Sequence, residues 1–185
     1  MRLIKRTLCL MLPISVVLTM LSALLYVVVQ QVYRASANDP QVQIAHDAAQ
    51  MLEAGVMPAS LISSTTTDIG RSLGTYMLLF DDNGSPVAGS GLLNAKLPVL
   101  PRGVFDYARQ HGENRITWQP EPGIRQAIVV ERVNGANAGF IVAGRSLRET
   151  EQRIDQLTLM VGVGWAAMIT VTILVIMVTE IVFRE

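Results

Sequence analysis

The sequence predicts an α+β protein: an antiparallel sheet with flanking helices, placed between two transmembrane helices. Three observations predict it. Two uncharged apolar runs, Thr7–Val29 and Thr158–Thr179, bracket the chain. Each reaches the length of about 20 residues that a helix needs to cross hydrocarbon. Between them, helical apolar spacing at one end is followed by short apolar runs punctuated by Asn-Gly turns, the pattern of hairpins.

The first run is preceded by Arg2, Lys5 and Arg6. Basic residues beside a span favour the cytoplasmic side. The expected organisation is a cytoplasmic N-terminus at 1–6, a transmembrane helix at 7–29, an extracytoplasmic domain at 30–157, a second transmembrane helix at 158–179 and a cytoplasmic tail at 180–185. This is a multi-pass protein of the inner (cytoplasmic) membrane, with its main domain outside. Tyr26, Tyr33 and Trp165 are expected near the outer interface, which suits amphipathic rings. The competing reading is a cleaved signal peptide ending at Ala35-Ser36-Ala37. The apolar run exceeds the about 7–15 residues of a signal core, which argues against cleavage. The two end segments are too small to hold an enzyme.

The middle segment reads in order. Asn38-Asp39-Pro40 starts a helix, with Asp39 as N-cap and Pro40 at the first position, where its missing N–H costs nothing. Val42, Ala45, Ala49 and Leu52 give that helix one apolar face. Gly55 and Pro58 stop it. Residues 56–74 are rich in Ser, Thr and Gly, but Leu61, Ile62, Ile69 and Leu73 suggest short packed pieces. Tyr76–Phe80 is a continuous apolar run, as a strand buried on both faces would be. Asp81-Asp82-Asn83-Gly84 turns it into a short strand at Pro86–Ser90. Pro101–Gln110 reads as a helix ended by His111-Gly112. Arg115–Trp118, Arg125–Val133 and Ala138–Gly144 read as three strands, the last two joined through Asn134–Asn137. Ser146-Leu147-Arg148-Glu149 is a capping box, in which Ser146 accepts the Glu149 N–H and Glu149 reaches back. The helix it opens meets no Gly or Pro before Gly162, inside the second run.

Composition narrows the function classes. Fifteen basic and fifteen acidic residues give a net charge of +0, so nothing points to nucleic acid. Cys9 is the single cysteine, and no disulfide can form within the chain. Arg6-Thr7-Leu8 before it lacks the small residues of a lipoprotein site. The two histidines, His46 and His111, have no Cys partners and no metal-ligand spacing. At the end of its helix, His111 complements the dipole. Asp81–Ser85 lacks the spaced acids and closing Glu of a calcium loop and reads as a turn. No nucleophile elbow and no phosphate loop occurs. The expectation is a protein that is not an enzyme and that carries no metal or cofactor.

Six residues on the sheet and the neighbouring helix are candidates to line a small-molecule site: Tyr76, Arg102, Tyr107, Trp118, Arg125 and Arg145. An arginine among them can bind a carboxylate bidentately. The plain alternative is that Tyr76 and Trp118 are core and the arginines are surface charges. Ser146 and Glu149 are candidates for relaying a change in the domain to the second span. Ser15, Thr19 and Ala23 form a stripe of small residues, as do Gly162 and Ala166, which suits packing of the two spans or of a homodimer.

Three segments, NDPQVQIAHDAAQ, YMLLFDDNGSPVAGSG and GFIVAGRSLRETEQRI, carry a resemblance. In that order they resemble the extracytoplasmic PAS/Cache-like sensor regions of bacterial two-component histidine kinases. The resemblance covers most of 38–154. It implies a PAS/Cache-like domain and signal perception, with a small-molecule ligand and a separate histidine kinase or other envelope protein as partners. The chain has no kinase part after the second run, so the resemblance implies sensing without the output. Two alternatives stand beside it: an envelope interaction module with no ligand, and a split or truncated kinase.

Overall fold

A computed structural model describes residues 2–36, 39–135 and 137–182. The side chains of Arg2, Lys5, Arg6, Cys9 and Asp39 lie outside what is described, as do Ala37, Asn38 and Ala136. The chain forms two compact units, residues 1–33 with 152–185, and residues 34–151.

The first unit consists of α1 (Arg2–Ser36) and most of α5 (Arg148–Val182). Both helices are long and apolar enough to cross a membrane, and both extend beyond the apolar runs. Pro13 lies within α1. Threonine hydroxyls along α5 at 158, 170, 172 and 179 donate to the carbonyl four residues back. That removes their hydrogen-bonding demand without a partner chain. Trp165 makes a polar contact within this unit. It lies seven residues, about 10 Å of helix rise, beyond Thr158, whose hydroxyl meets that of Tyr26 at 3.4 Å. Its indole N–H donates to Thr19 Oγ1 at 3.0 Å, and Thr19 donates to the Ser15 carbonyl at 2.7 Å. The polar edge of Trp165 is therefore satisfied between the two helices.

The second unit is a three-layer domain. Its sheet has five antiparallel strands: β2 (Tyr76–Asp81), β3 (Pro86–Gly89), β5 (Glu113–Glu121), β6 (Ile124–Val133) and β7 (Gly139–Ser146), in the order β3-β2-β7-β6-β5. The last strand thus lies between the first long strand and β6. Helix α2 (Asp39–Glu53) covers one face and α4 (Arg102–His111) the other. The one-turn helix α3 (Pro58–Leu61) follows α2. A two-stranded parallel piece, β1 (Thr67–Asp68) with β4 (Gly91–Leu92), accounts for part of the Ser/Thr-rich stretch. Ile69 there is core, whereas Leu73 is exposed.

Strand alternation builds both layers of core. Leu78, Phe80, Ile128, Val130, Phe140 and Val142 point towards α4 and meet Phe105 and Ala108. Leu79, Val129, Val133, Ile141 and Ala143 point the other way, against Ala45, Ala48, Ala49 and Leu52 of α2. Phe105 holds its side through rings 4.9 Å from Phe80 and 5.0 Å from Phe140. Each such buried side chain contributes about 1.5–3 kcal/mol.

The stop and turn signals act as their chemistry requires. Gly55, at φ +89, closes α2: Val56 N–H reaches Met51 O, and Gly55 N–H reaches Leu52 O. This is the paired bonding of a Schellman cap. Gly112, at φ +86, ends α4. Asp81 Oδ1 accepts from Asn83 and Ser85 N–H, at 3.0 and 2.7 Å, so Asp81–Ser85 is a hairpin turn.

Two boundaries differ from expectation. Strand β5 does not stop at Trp118 but runs through Pro120 to a tight turn at Gly123 (φ +81). It is an edge strand with a register shift between Trp118 and Glu121, where proline's missing N–H is tolerated. Strand β7 runs on to Ser146, which pairs with Gln126.

Gly144 is required by packing. A Cβ there would lie 2.3 Å from Tyr76 Cζ. Gly144→Ala should therefore cost about 1–3 kcal/mol through overpacking. Most of that cost should vanish in a Tyr76→Ala background, because the two sites are in contact. Thermal melts of the four chains read out the coupling; additive losses would show that the clash is not the cause.

Candidate functional site

The feature with most local construction is the joint where β7 becomes α5. Ser146 still pairs in the sheet, and Leu147 N–H donates to Arg125 O at 2.9 Å, adding one more rung. Helix begins at Arg148, and Glu151 N–H already bonds to Leu147 O at 2.8 Å. One residue separates strand from helix.

This shifts the expected capping box. Leu147, not Ser146, holds the N-cap position. Ser146 is kept extended by its partner Gln126, and its Oγ accepts the Arg148 N–H at 3.3 Å. Glu149 Oε2 accepts from Arg145 Nη2 at 3.0 Å. The acidic residues Glu149 and Glu151 still occupy the first turn, where they complement the helix dipole.

Three side-chain contacts fasten this turn to the domain. Arg145 pairs with Glu149 and Arg125 with Glu151. Arg125 and Arg145 sit on neighbouring strands on the α2 side of the sheet, and each takes a carboxylate from α5. On the other side, Arg148 donates to Gly70 O at 2.6 Å and to Arg71 O at 3.3 Å. Segment 69–71 is itself tied to the sheet, since Gln126 Nε2 donates to Ile69 O at 3.0 Å. Both ion pairs are partly solvated and contribute at most about 1 kcal/mol each. Their value is geometric, because they hold the first turn of α5 against the domain.

The sequence-derived residues divide into three groups. Arg125, Arg145, Ser146 and Glu149 come together at this joint. Tyr76 and Trp118 are core residues on the α4 side. Burial pushes the Tyr76 hydroxyl to a higher pKa, and no protein group bonds to it. Arg102 and Tyr107 lie on α4. Arg102 lines a polar cavity of about 300 Å³ with Asp82, Asn83, Phe105, Asp106 and Arg109. Tyr107 is half-exposed and stacks on His111 at 4.1 Å. His111 Nδ1 lies 3.0 Å from Tyr107 O, consistent with a helix-end role. Arg125 and Arg145 therefore lie on the opposite face of the sheet from Tyr76 and Trp118.

Beside the Arg102 cavity, Arg109 and Arg132 both stack on Phe140, at 5.3 and 4.9 Å. The Arg132 hydrogen bond and charge, then Arg109, hold the Asp82 carboxyl below its usual pKa. Asp106 bonds to Arg109 at 2.7 Å. Among the described residues no cluster of His, Cys, Asp or Glu could hold a metal.

Sequence reasoning missed Gln126, Arg148 and Glu151. Gln126 follows Arg125 in a strand that also carries Glu131 and Arg132, so its burial left no mark in the sequence. Arg148 bonds only to backbone carbonyls of a distant loop, which leaves no trace in a pattern.

No protein-family model, no curated protein and no solved structure matches this chain.

Arg148→Ala should destabilise the domain by about 1–2 kcal/mol, since it removes two charged-donor bonds. Ser146→Ala should cost only about 0.5 kcal/mol, the low end for a cap, because its bond is long. Denaturant melts of both variants compare them directly; the reverse order would return the capping role to Ser146.

Proposed function

We propose that this chain is a two-span membrane protein whose residues 34–151 form an extracytoplasmic, PAS/Cache-like sensor module without enzymatic activity of its own. The module hands its state to α5, and α5 passes it to a separate signalling partner such as a histidine kinase. One observation carries this reading: β7, paired on both edges, enters α5 through a single residue and is clamped there from both faces of the sheet. A tether needs no such fixation, and a flexible loop would serve it as well. An antiparallel sheet with flanking helices is also what the PAS/Cache resemblance implies.

A second reading has its own support. Met57 and Val87 are exposed, and a cleft of about 170 Å³ beside them is lined by Leu52, Pro58, Val87 and Ala138 among others. An apolar surface of this kind suits an interaction module that binds another envelope protein with no ligand.

Topology is tested first. A reporter active only outside the cytoplasm should work when fused at residue 100 and fail at the C-terminus. The opposite pattern would remove the sensor reading.

The relay is tested by helical phase. Two residues inserted after Gln152 rotate all that follows by roughly 200°. Seven inserted helical residues come within about 20° of two full turns. The readout is the set of host transcripts that changes when the gene is deleted. The two-residue insertion should abolish that regulation and the seven-residue insertion should retain it. Equal output from both would rule out a rigid relay and favour the interaction module.

A further inference from the structure

Helix α2 docks through Ala45, Ala48, Ala49 and Leu52, all buried, with half-buried Val42 and Ile44 beside them and buried Gln41 at its start. Alanine buries less area than a larger side chain, so the polar contacts across this interface add to its hold. His46 makes one of them, and its ring changes charge near neutral pH. Its Nδ1 lies 3.0 Å from Glu131 Oε1 on β6, and its Nε2 lies 2.8 Å from Gln50 Nε2. With Gln50 donating to Nε2, this is the bonding of a neutral ring; a protonated ring needs the Gln50 amide oxygen there instead. Glu131 is mostly buried, its side chain 16% exposed, and its Oε2 has no hydrogen-bond partner.

We propose that His46 and Glu131 form a proton-operated latch that sets how firmly α2 is held on the sheet. With the ring neutral, Glu131 is a largely buried carboxylate served by one polar neighbour. With the ring protonated, a full positive charge faces it at the same distance, and α2 is pinned.

The surrounding charges favour protonation. Helix α2 adds Asp47. Strand β5 presents Glu113 opposite Glu131, itself paired with Arg115. Strand β7 places uncharged Ile141 opposite Glu131. The next residue, Arg132, faces the other side of the sheet, bound to Asp82. The Glu131 hydrogen bond and charge raise the His46 pKa above 6.5, partial desolvation opposes them, and Asp47 and Glu113 add to the rise. The latch is therefore fully engaged below the unfolded histidine value and released as pH climbs through the higher folded one. This inference is independent of the relay through α5.

The test uses the full chain in lipid nanodiscs. The His46 ring is titrated by NMR, with His111→Gln used to assign the two histidines. Backbone exchange over 42–53, corrected for its intrinsic pH dependence, is compared at about pH 5.5 and about pH 8, on either side of a histidine transition. The expected result is a His46 midpoint above the ordinary value and slower α2 exchange at the lower pH. Glu131→Gln should lower the midpoint and abolish the exchange difference. His46→Gln should abolish it as well. An ordinary or lowered midpoint in the unmodified chain, pH-independent α2 exchange, or a difference that survives both substitutions would each overturn the latch.

Discussion

Strand β7 is the element on which the rest depends. It lies between β2 and β6 and pairs with β6 along its whole length and with β2 over Gly139–Gly144. Both of its faces are buried, Phe140 and Val142 on one side and Ile141 and Ala143 on the other. A strand in this position cannot shift by one residue without sending every side chain to the wrong layer. The placement of α2, of α4 and of the start of α5 follows from that register. The close seat of Tyr76 over Gly144 belongs to the same constraint, since only a residue without a side chain fits at that rung.

The two layers are not equivalent. The α4 side is filled by aromatic rings and closed by two arginines stacked on Phe140. The α2 side packs three alanines with Leu52, Val42 and Ile44 and is held at its edges by polar bonds, among them Glu53 to the Asn134 N–H and Asn137 Nδ2 to Leu52 O. Aliphatic side chains without rings fill this layer, so its fit is built from smaller pieces than the α4 side.

Much of the fold was legible because its signals are local. The apolar strand at 76–80, the Asn-Gly turn after it and the glycines that close α2 and α4 each specify their own conformation. Strand β5 was cut short because Pro120 ordinarily ends a strand; only its place at the sheet edge, a tertiary fact, lets it stay. The Ser146 cap moved for a similar reason. The motif is local, but the pairing with Gln126 holds Ser146 extended and delays the helix by one residue. The candidate ligand residues were chosen by type, and type does not say which face a strand presents. Register placed Tyr76 and Trp118 on one side and Arg125 and Arg145 on the other. The same register assembled the joint, of which Ser146 and Glu149 were visible and Arg148 was not.

The two borders of the sheet carry a further consequence. One border is β3, four residues long and opened by Pro86. The other is β5, interrupted by Pro120 and a register shift, with Glu113 and Arg115 along it. Pro86 and Pro120 each remove a backbone donor from a border, and the shift after Trp118 confines the regular row on β5 to Glu113–Trp118. A sixth strand laid along either border would meet these interruptions, which blunts both edges against pairing between backbones.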